Sequence, residues 1–193
     1  MDAEQQRTAV LDAAERLFYG KGIQAVGMDE IRAAAGVSLK AIYKLFPSKD
    51  LLVAEVLAIR DRRWTDGLHK YVDRADTPED KVLAVFDWLD EMFAENDFRG
   101  CSFINSYGEL GATSPTVAQA AQHNKSCYQD EVNALVADAG LPPTVAVQVG
   151  LLTEGALATA AILGPDGVAD GARQAARVLI GAQRSVGART AEE

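Results

Sequence analysis

The sequence predicts an all-α protein of about nine helices, with a small helix-turn-helix head at its N-terminus. Residues 28–52 have the pattern of a helix, a tight turn, a second helix, a stop and the start of a third helix. The elements that can be recognised beyond Leu52 have the apolar spacing and the capping residues of helices. Since 48% of the 193 residues are apolar, the chain can bury a core as one large domain or two small ones.

The first helix of the motif is predicted from Met28 to the residue before Gly36. Gly27 can cap its start, and Asp29 and Glu30 lie in the first turn, where the positive end of the helix dipole favours anions. Gly36 ends the helix, because a glycine adopts positive φ without a Cβ clash and so permits a sharp reversal.

The second helix follows at once and is predicted over residues 39–46. Ser38 is a natural N-cap, and Ile42 and Phe46 are four residues apart, so both can point inward. Pro47 closes the helix because it lacks an N–H. The side chains left pointing outward are Leu39, Lys40, Tyr43 and Lys44. Two short helices joined by a glycine-containing turn form the helix-turn-helix pattern.

The charge of the chain is distributed unevenly. Residues 1–60 carry eight basic and eight acidic side chains, so the whole net charge of −9 lies in the remainder. An acidic body behind a neutral head would orient the molecule on DNA, and Lys40, Lys44 and Lys49 concentrate positive charge at the predicted contact surface. Isolated lysines are usually only solvated, but the placement of these three on one helix and its exit favours phosphate contact.

The first quarter of the chain resembles the TetR family of bacterial transcriptional regulators. The matching residues are Ala13-Ala14-Glu15-Arg16-Leu17-Phe18, Gly20, Gly22, Ile31, Ala35-Gly36-Val37-Ser38, Ile42-Tyr43 and Phe46-Pro47-Ser48-Lys49-Asp50-Leu51-Leu52. Their combined spacing is more specific than any one piece. The resemblance implies a regulator with a DNA-binding domain over residues 1–52 and a helical ligand-binding and dimerisation domain over residues 53–193.

The motif and the resemblance together indicate which residues contact DNA. Lys40 lies near the start of the recognition helix, where side chains reach base edges, while the family positions matching Tyr43 and Lys49 hold phosphates. Leu39 can meet a thymine methyl group or pack against a neighbouring helix. The predicted DNA-binding residues are Gly27, Met28, Ser38, Leu39, Lys40, Ala41, Tyr43, Lys44 and Lys49. The chain departs from the family pattern at Gly27, Lys40-Ala41 and Leu45, so base preferences do not transfer.

Six further helices are predicted beyond the motif. Thr77 and Pro78 give one of them a cap and a proline at the first helical position, where a missing N–H is tolerated. Ser114-Pro115 and Pro142-Pro143 mark two more boundaries, and Gly164-Pro165-Asp166-Gly167 separates the last two helices. The predicted ranges are 48–68, 78–95, 101–110, 114–140, 143–163 and 169–186.

The last two helices are rich in glycine and alanine, which lets helix backbones approach closely. In the family the two terminal helices pair with their copies as a four-helix bundle, so the resemblance implies a homodimer through residues 143–163 and 169–186. Tight packing within one subunit is the alternative interpretation. A dimer also suits a palindromic operator, because two recognition helices must enter successive major grooves.

Aromatic side chains with a few polar neighbours indicate a small-molecule site. The predicted ligand-binding residues are Trp64, Phe86, Phe93, Phe103, Asn105, Tyr107, His123 and Tyr128. Aromatic residues at helical spacing are more often core than pocket, so a packing role competes with each assignment. The acidic body favours a neutral or cationic effector.

Taken together, the sequence predicts a dimeric repressor that a small-molecule effector releases from a palindromic operator in double-stranded DNA. A family-like interaction module without DNA binding is one alternative, and an enzyme on a helical scaffold is another. The only imidazoles are His69 and His123, no Gly-x-Ser-x-Gly element or phosphate loop occurs, and no Cys/His pair has metal-ligand spacing. We therefore expect no enzymatic activity, no catalytic residue, no cofactor and no metal site.

The sequence also predicts a cytoplasmic protein with no membrane partner. No apolar run is expected to reach the ~20 residues needed to span a bilayer. The N-terminus is polar and acidic, where a signal peptide would be basic and then apolar. In that compartment Cys101 and Cys127 are expected to be free buried thiols rather than a disulfide.

Overall fold

The computed structural model describes the backbone of residues 1–190 and the side chains of residues 1–184. That part of the chain forms nine α-helices and contains no strand, so the predicted fold class is confirmed. The helices are α1 Ala3–Lys21, α2 Met28–Ala35, α3 Leu39–Leu45, α4 Lys49–Val72, α5 Pro78–Phe93, α6 Ser102–Leu110, α7 Pro115–Asp138, α8 Pro143–Leu163 and α9 Val168–Thr190. Helix α4 continues one turn beyond its predicted end. The side chains of Ser185 and Val186, in the predicted dimer segment, lie outside the described residues.

Local signals set the helix ends where the sequence predicts them. Gly36 ends α2 with φ of 67°, Ser38 caps α3 by accepting from the backbone N–H of Ala41, and Thr77 caps α5. Asp2 begins α1 with a capping box, in which its carboxylate accepts from the N–H of Gln5 at 2.9 Å and the Gln5 side chain accepts from the N–H of Asp2 at 3.0 Å.

The chain packs as two compact units. The first consists of Met1–Arg63 and Cys101–Asn124, and the second of Trp64–Gly100 and Lys125 onward, so α4 and α7 each supply residues to both. Each unit has its own apolar core. The core of the first unit includes Val10, Val26, Ile31, Ile42, Phe46 and Leu52, and that of the second includes Val82, Phe86, Leu89, Val132, Val145 and Leu157. The boundary predicted between residues 52 and 53 separates a DNA-binding domain from a ligand-binding and dimerisation domain. These roles differ from packing units, so that boundary stays a prediction.

In the second unit, α4 and α5 approach each other closely at Gly67. A Cβ atom at Gly67 would lie 2.4 Å from Cζ2 of Trp88, so only a glycine leaves room for this indole. The Trp88 ring packs edge-on against Trp64, with ring centroids 6.1 Å apart, and Trp64 packs edge-on against Tyr128 at 5.8 Å. Such perpendicular arrangements are favourable for aromatic pairs.

Helix α8 is unusually apolar. By length and composition alone it could cross a membrane, with a mean hydropathy of 1.6, and 44% of the apolar window is buried inside the protein. The expectation that no segment has such a length and composition is therefore wrong for α8. A core helix of a soluble protein has the same properties, and α8 buries Val145, Val149 and Leu157.

We expect Gly67→Ala to lower the free energy of unfolding by about 1–3 kcal/mol, because the new methyl group must displace a packed indole. Gly20→Ala is the matched control, since a Cβ at that helical position meets nothing within 4 Å. The control should be neutral or stabilising by up to about 1 kcal/mol, because alanine favours a helix more than glycine does. Urea unfolding of both variants makes the comparison, and equal effects would contradict the steric explanation.

Candidate DNA-binding surface

Helices α2 and α3 form a compact helix-turn-helix in the first unit. The two helices are joined by residues 36–38, where the N–H of Gly36 donates to the carbonyl of Arg32 at 3.1 Å. Ile31 of α2 and Ile42 of α3 have no exposed surface, and Phe46 at the end of α3 is 2% exposed. Burying one face of each helix fixes which face meets solvent.

Helix α3 carries five of the nine predicted DNA contacts, and three of them are exposed. Tyr43 is 46% exposed, which is high for an aromatic side chain, and its neighbours Lys40 and Lys44 are exposed as well. Gly27 and Ser38 are exposed at the N-caps of α2 and α3. The half-buried members of the predicted set are Met28, Leu39, Ala41 and Lys49. The structure thus brings a phenol and two ammonium groups together on one short helix, as phosphate and base contacts require.

Lys49 of this set binds the protein through its ammonium group. Its Nζ donates to the backbone carbonyl of Ile23 at 2.5 Å and lies 5.8 Å from the centre of the Phe18 ring. Burial lowers the pKa of Lys49, and the nearby carboxylates of Glu109 and Asp50 partly oppose that shift. An ammonium group has three donors, so the predicted phosphate contact stays a prediction.

The segment between α1 and α2, residues 22–27, is held by α6 of the same unit; we call this segment the connector. The Glu109 carboxylate accepts from the N–H of Ile23 at 3.0 Å and from the N–H of Gln24 at 2.9 Å. The Gln24 side chain donates back to the carbonyl of Glu109 at 2.6 Å. Gly22 has φ of 88°, and a Cβ there would lie 3.1 Å from both carboxylate oxygens. The sequence does not predict this contact between Glu109 and the connector.

Polar contacts also fix α1 on the first part of α4. Glu15 is only 7% exposed, and one of its oxygens accepts from Arg60 at 3.0 Å and from Arg63 at 2.6 Å. Arg7 pairs with Glu55 at 2.7 Å. Because a buried carboxylate needs paired charge, Glu15 requires this arrangement of α1 and α4.

The predicted ligand-binding residues divide between the two units. The first unit contains Phe103, Asn105, Tyr107 and His123, and the second contains Trp64, Phe86, Phe93 and Tyr128. Phe86 and Phe93 are 0% and 4% exposed, as core residues are, whereas Tyr107 is 57% exposed. These assignments stay predictions.

The second unit contains polar groups that its aromatic packing does not satisfy. Tyr128 donates its hydroxyl to Oγ1 of Thr153 at 2.7 Å, and burial raises the pKa of Tyr128. The Nε1 atoms of Trp64 and Trp88 are buried and have no hydrogen-bond partner. A buried unsatisfied donor costs about 1–3 kcal/mol, so two in one aromatic cluster indicate a place for an acceptor.

The residues that the structure describes contain neither a metal-binding cluster nor a disulfide. No group of three or more His, Cys, Asp or Glu side chains there could hold a metal ion. Neither Cys101 nor Cys127 belongs to a disulfide; Cys101 is buried as expected, whereas Cys127 is exposed, so the expected burial is wrong for Cys127.

Comparison with known proteins places this surface in a family. Residues 10–56 match the model for bacterial regulatory proteins of the TetR family, a span that contains α2 and α3. A crystal structure of a TetR-family transcriptional regulator from Streptomyces coelicolor superposes with a TM-score of 0.88 at 25% identity, covering 93% of this chain and 96% of that one. The chain belongs to the TetR family of transcriptional regulators. The predicted family and fold are therefore confirmed.

Two curated relatives extend the match of this TetR-family regulator well beyond the head. The transcriptional regulator YjdC of Escherichia coli is 26% identical over 157 residues, which are 79% of this chain and 81% of that protein. The transcriptional activator FasR of Mycolicibacterium smegmatis is 29% identical over 141 residues, 72% of this chain and 62% of that protein. The protein is thus a helix-turn-helix transcriptional regulator, and its family consists of DNA-binding regulators rather than enzymes.

We expect Lys44→Ala to weaken DNA binding about equally on all sequences and to reduce the slope of log affinity against log salt by about one per bound protomer, because one phosphate contact is lost. Lys81→Ala, which removes a half-buried lysine of the second unit, is the control and should leave the slope unchanged. Titrations of a labelled duplex by fluorescence anisotropy at several salt concentrations measure both slopes. An unchanged slope for Lys44→Ala would exclude this lysine from the interface.

Proposed function

We propose that the protein is a homodimeric, cytoplasmic repressor that a small-molecule effector releases from a palindromic operator. The observation that carries the proposal is the exposed face of α3, where Tyr43 and two lysines lie on a helix that is anchored on its other side by the fully buried Ile42. This arrangement supports insertion of α3 into a major groove, with Lys40 nearest the base edges.

The outer faces of α8 and α9 support the dimer. Along α8 the exposed positions 147, 151, 155, 158 and 162 follow helical spacing, and Val147, Leu151 and Ile162 among them are 55%, 68% and 79% exposed. On α9, Val178 is 71% exposed between the small residues Gly171 and Ala182. An apolar stripe with small residues suits close helix packing against a second copy. Such an interface also explains the apolar composition of α8 without a membrane.

The aromatic cluster of Trp64, Trp88 and Tyr128 supports an effector site in the second unit. Its two unpaired indole N–H groups favour a molecule with a hydrogen-bond acceptor, such as a carbonyl or ether oxygen, on an apolar body. Oε2 of Glu154, next to Thr153 on α8, is buried without a partner as well. Oε1 of the same carboxylate pairs with Lys125 at 2.6 Å, so Oε2 favours an effector that carries a hydrogen-bond donor.

Repression is the direction of regulation that we assign to this head. Glu109 and Lys49 bind the backbone of the connector, which supports a head that the chain's own contacts order for DNA binding. An effector lowers DNA affinity only if it binds another conformation more tightly than this one. Helices α4 and α7 supply residues to both units and are the covalent route for that coupling.

Selection from random duplexes tests the proposal most directly. The purified protein should enrich sequences with two inverted half-sites whose centres are about one helical turn apart, with salt-sensitive affinity. A promoter–reporter assay on a selected site should show lower expression when the protein is present. Failure to enrich any duplex would favour the interaction module without DNA binding, and higher expression would reverse the direction of regulation.

We expect Leu151→Glu to convert the dimer into a monomer, because each new carboxylate would be buried against the partner copy. Operator affinity should fall by about a hundredfold or more, since the second head would no longer be held near its half-site. Ile104→Glu, at a 45% exposed position of α6, is the control and should stay dimeric. Sedimentation equilibrium gives the mass, and a dimeric Leu151→Glu variant would place the interface elsewhere.

We expect Trp88→Phe to weaken effector binding about 5- to 100-fold, because a smaller aromatic ring remains while the indole N–H donor is removed. Trp64 and Trp88 are the only tryptophans, so a compound that releases the operator should also change the tryptophan emission. Titration of such a compound into the parent and into Trp88→Phe, followed by emission and by operator release, gives the two affinities. Unchanged affinity and emission would move the effector site away from this cluster.

A further inference from the structure

The connector is fixed on both sides of a single residue, Ile23. Its N–H donates to the Glu109 carboxylate of α6, and its carbonyl accepts from the ammonium of Lys49 at the start of α4. Four residues later, Gly27 forms the N-cap of α2. The position of Ile23 therefore sets where α2 begins, and α3 packs on α2.

The C-terminal end of α6 holds the first unit at a second point. Oγ of Ser114, just beyond α6, donates to the carboxylate of Asp50 at 3.2 Å, and Asp50 is the neighbour of Lys49 in the first turn of α4. The segment 109–114 thus contacts both the entry to α2 and the start of α4, the helix that follows α3. We call the contacts of Glu109 with Ile23 and Gln24 the connector clamp.

We propose that Glu109 is a positioning residue for DNA binding: its carboxylate, through the connector clamp, holds α2 and α3 in the orientation that the operator requires. The two N–H groups of Ile23 and Gln24 converge on one carboxylate, and charge-assisted hydrogen bonds of this kind are about twice as strong as neutral ones. Gly22 completes the geometry, because a side chain there would crowd both oxygens at 3.1 Å. The proposal rests on DNA binding by the head and is independent of any effector.

The direction in which DNA affinity changes when Glu109 is substituted distinguishes a positioning role from a purely electrostatic one. Removing a carboxylate near a DNA-binding head reduces repulsion from the phosphates, so charge alone predicts tighter binding by Glu109→Ala. Loss of the connector clamp predicts weaker binding, because the free connector must be ordered again when DNA binds. The two explanations therefore give opposite results in one measurement.

The experiment compares variants of the full chain on a duplex selected by the parent protein. We expect operator affinity to fall about tenfold for Glu109→Ala and less for Glu109→Gln, whose amide oxygen can still accept from one N–H. Gln24→Ala, which changes no charge at an exposed position, should weaken binding by a few-fold as well. Glu4→Gln is the control, because it removes a carboxylate of the same unit at an exposed position on α1 and should bind as tightly as the parent or more tightly.

Two further measurements separate positioning from general instability. The slope of log affinity against log salt should be the same in all variants, since no phosphate contact is removed. Amide hydrogen exchange should accelerate at Ile23 and Gln24 in Glu109→Ala, while the core amides of α1 stay protected. If Glu109→Ala unfolds, Glu109→Gln and Gln24→Ala carry the same comparison.

Equal or tighter operator binding by Glu109→Ala overturns the inference and leaves the proposed function intact. A parent protein that enriches no duplex overturns both. Weaker binding with an unchanged salt slope and faster exchange at Ile23 and Gln24 supports the positioning role of Glu109.

Discussion

The DNA-reading surface depends on support from outside its own helices. Helices α2 and α3 contain eight and seven residues, and helices that short are not stable alone in water. Ile31, Ile42 and Phe46 give them an apolar support, since the three side chains are at most 2% exposed. The connector has a polar support instead, because Glu109 and Lys49 bind the backbone of Ile23 rather than its side chain. The positions of Tyr43 and the lysines of α3 therefore depend on both supports.

The helix-turn-helix could be predicted because its signals are local. Gly36, Ser38 and Pro47 act within one turn of the helix ends that they set, so the sequence displays their effect directly. Glu109 binds residues 85 and 86 positions away, and a glutamate near the end of a helix looks like any solvated carboxylate. Such a contact depends on packing that no local pattern records. The same holds for Lys49, whose family position predicts a phosphate contact but not its hydrogen bond to Ile23.

Aromatic content alone cannot separate ligand-binding residues from core residues, for a physical reason. A phenyl ring contributes the same apolar area to a core as to a pocket, and the deep burial of Phe86 and Phe93 is what core packing produces. The indole N–H groups of Trp64 and Trp88 carry more information, because a buried donor without an acceptor is costly in a core and useful in a binding site. Whether a donor has an acceptor depends on its neighbours in space. The sequence therefore cannot show that Trp64 and Trp88 are better candidates for a binding site than the phenylalanines.

Position and charge act in opposite directions at Glu109, and distance decides between them. The hydrogen bonds to Ile23 and Gln24 are contacts of about 3 Å, which dissolved salt weakens much less than long-range repulsion. Repulsion between this half-buried carboxylate and DNA phosphates acts over longer distances and is largely screened beyond about 8 Å at physiological ionic strength. Fixation of the connector should therefore outweigh repulsion under physiological conditions, while the repulsion gains weight at low salt. A carboxylate can thus assist a DNA-binding head despite its charge, provided that it acts through the backbone and lies away from the phosphates.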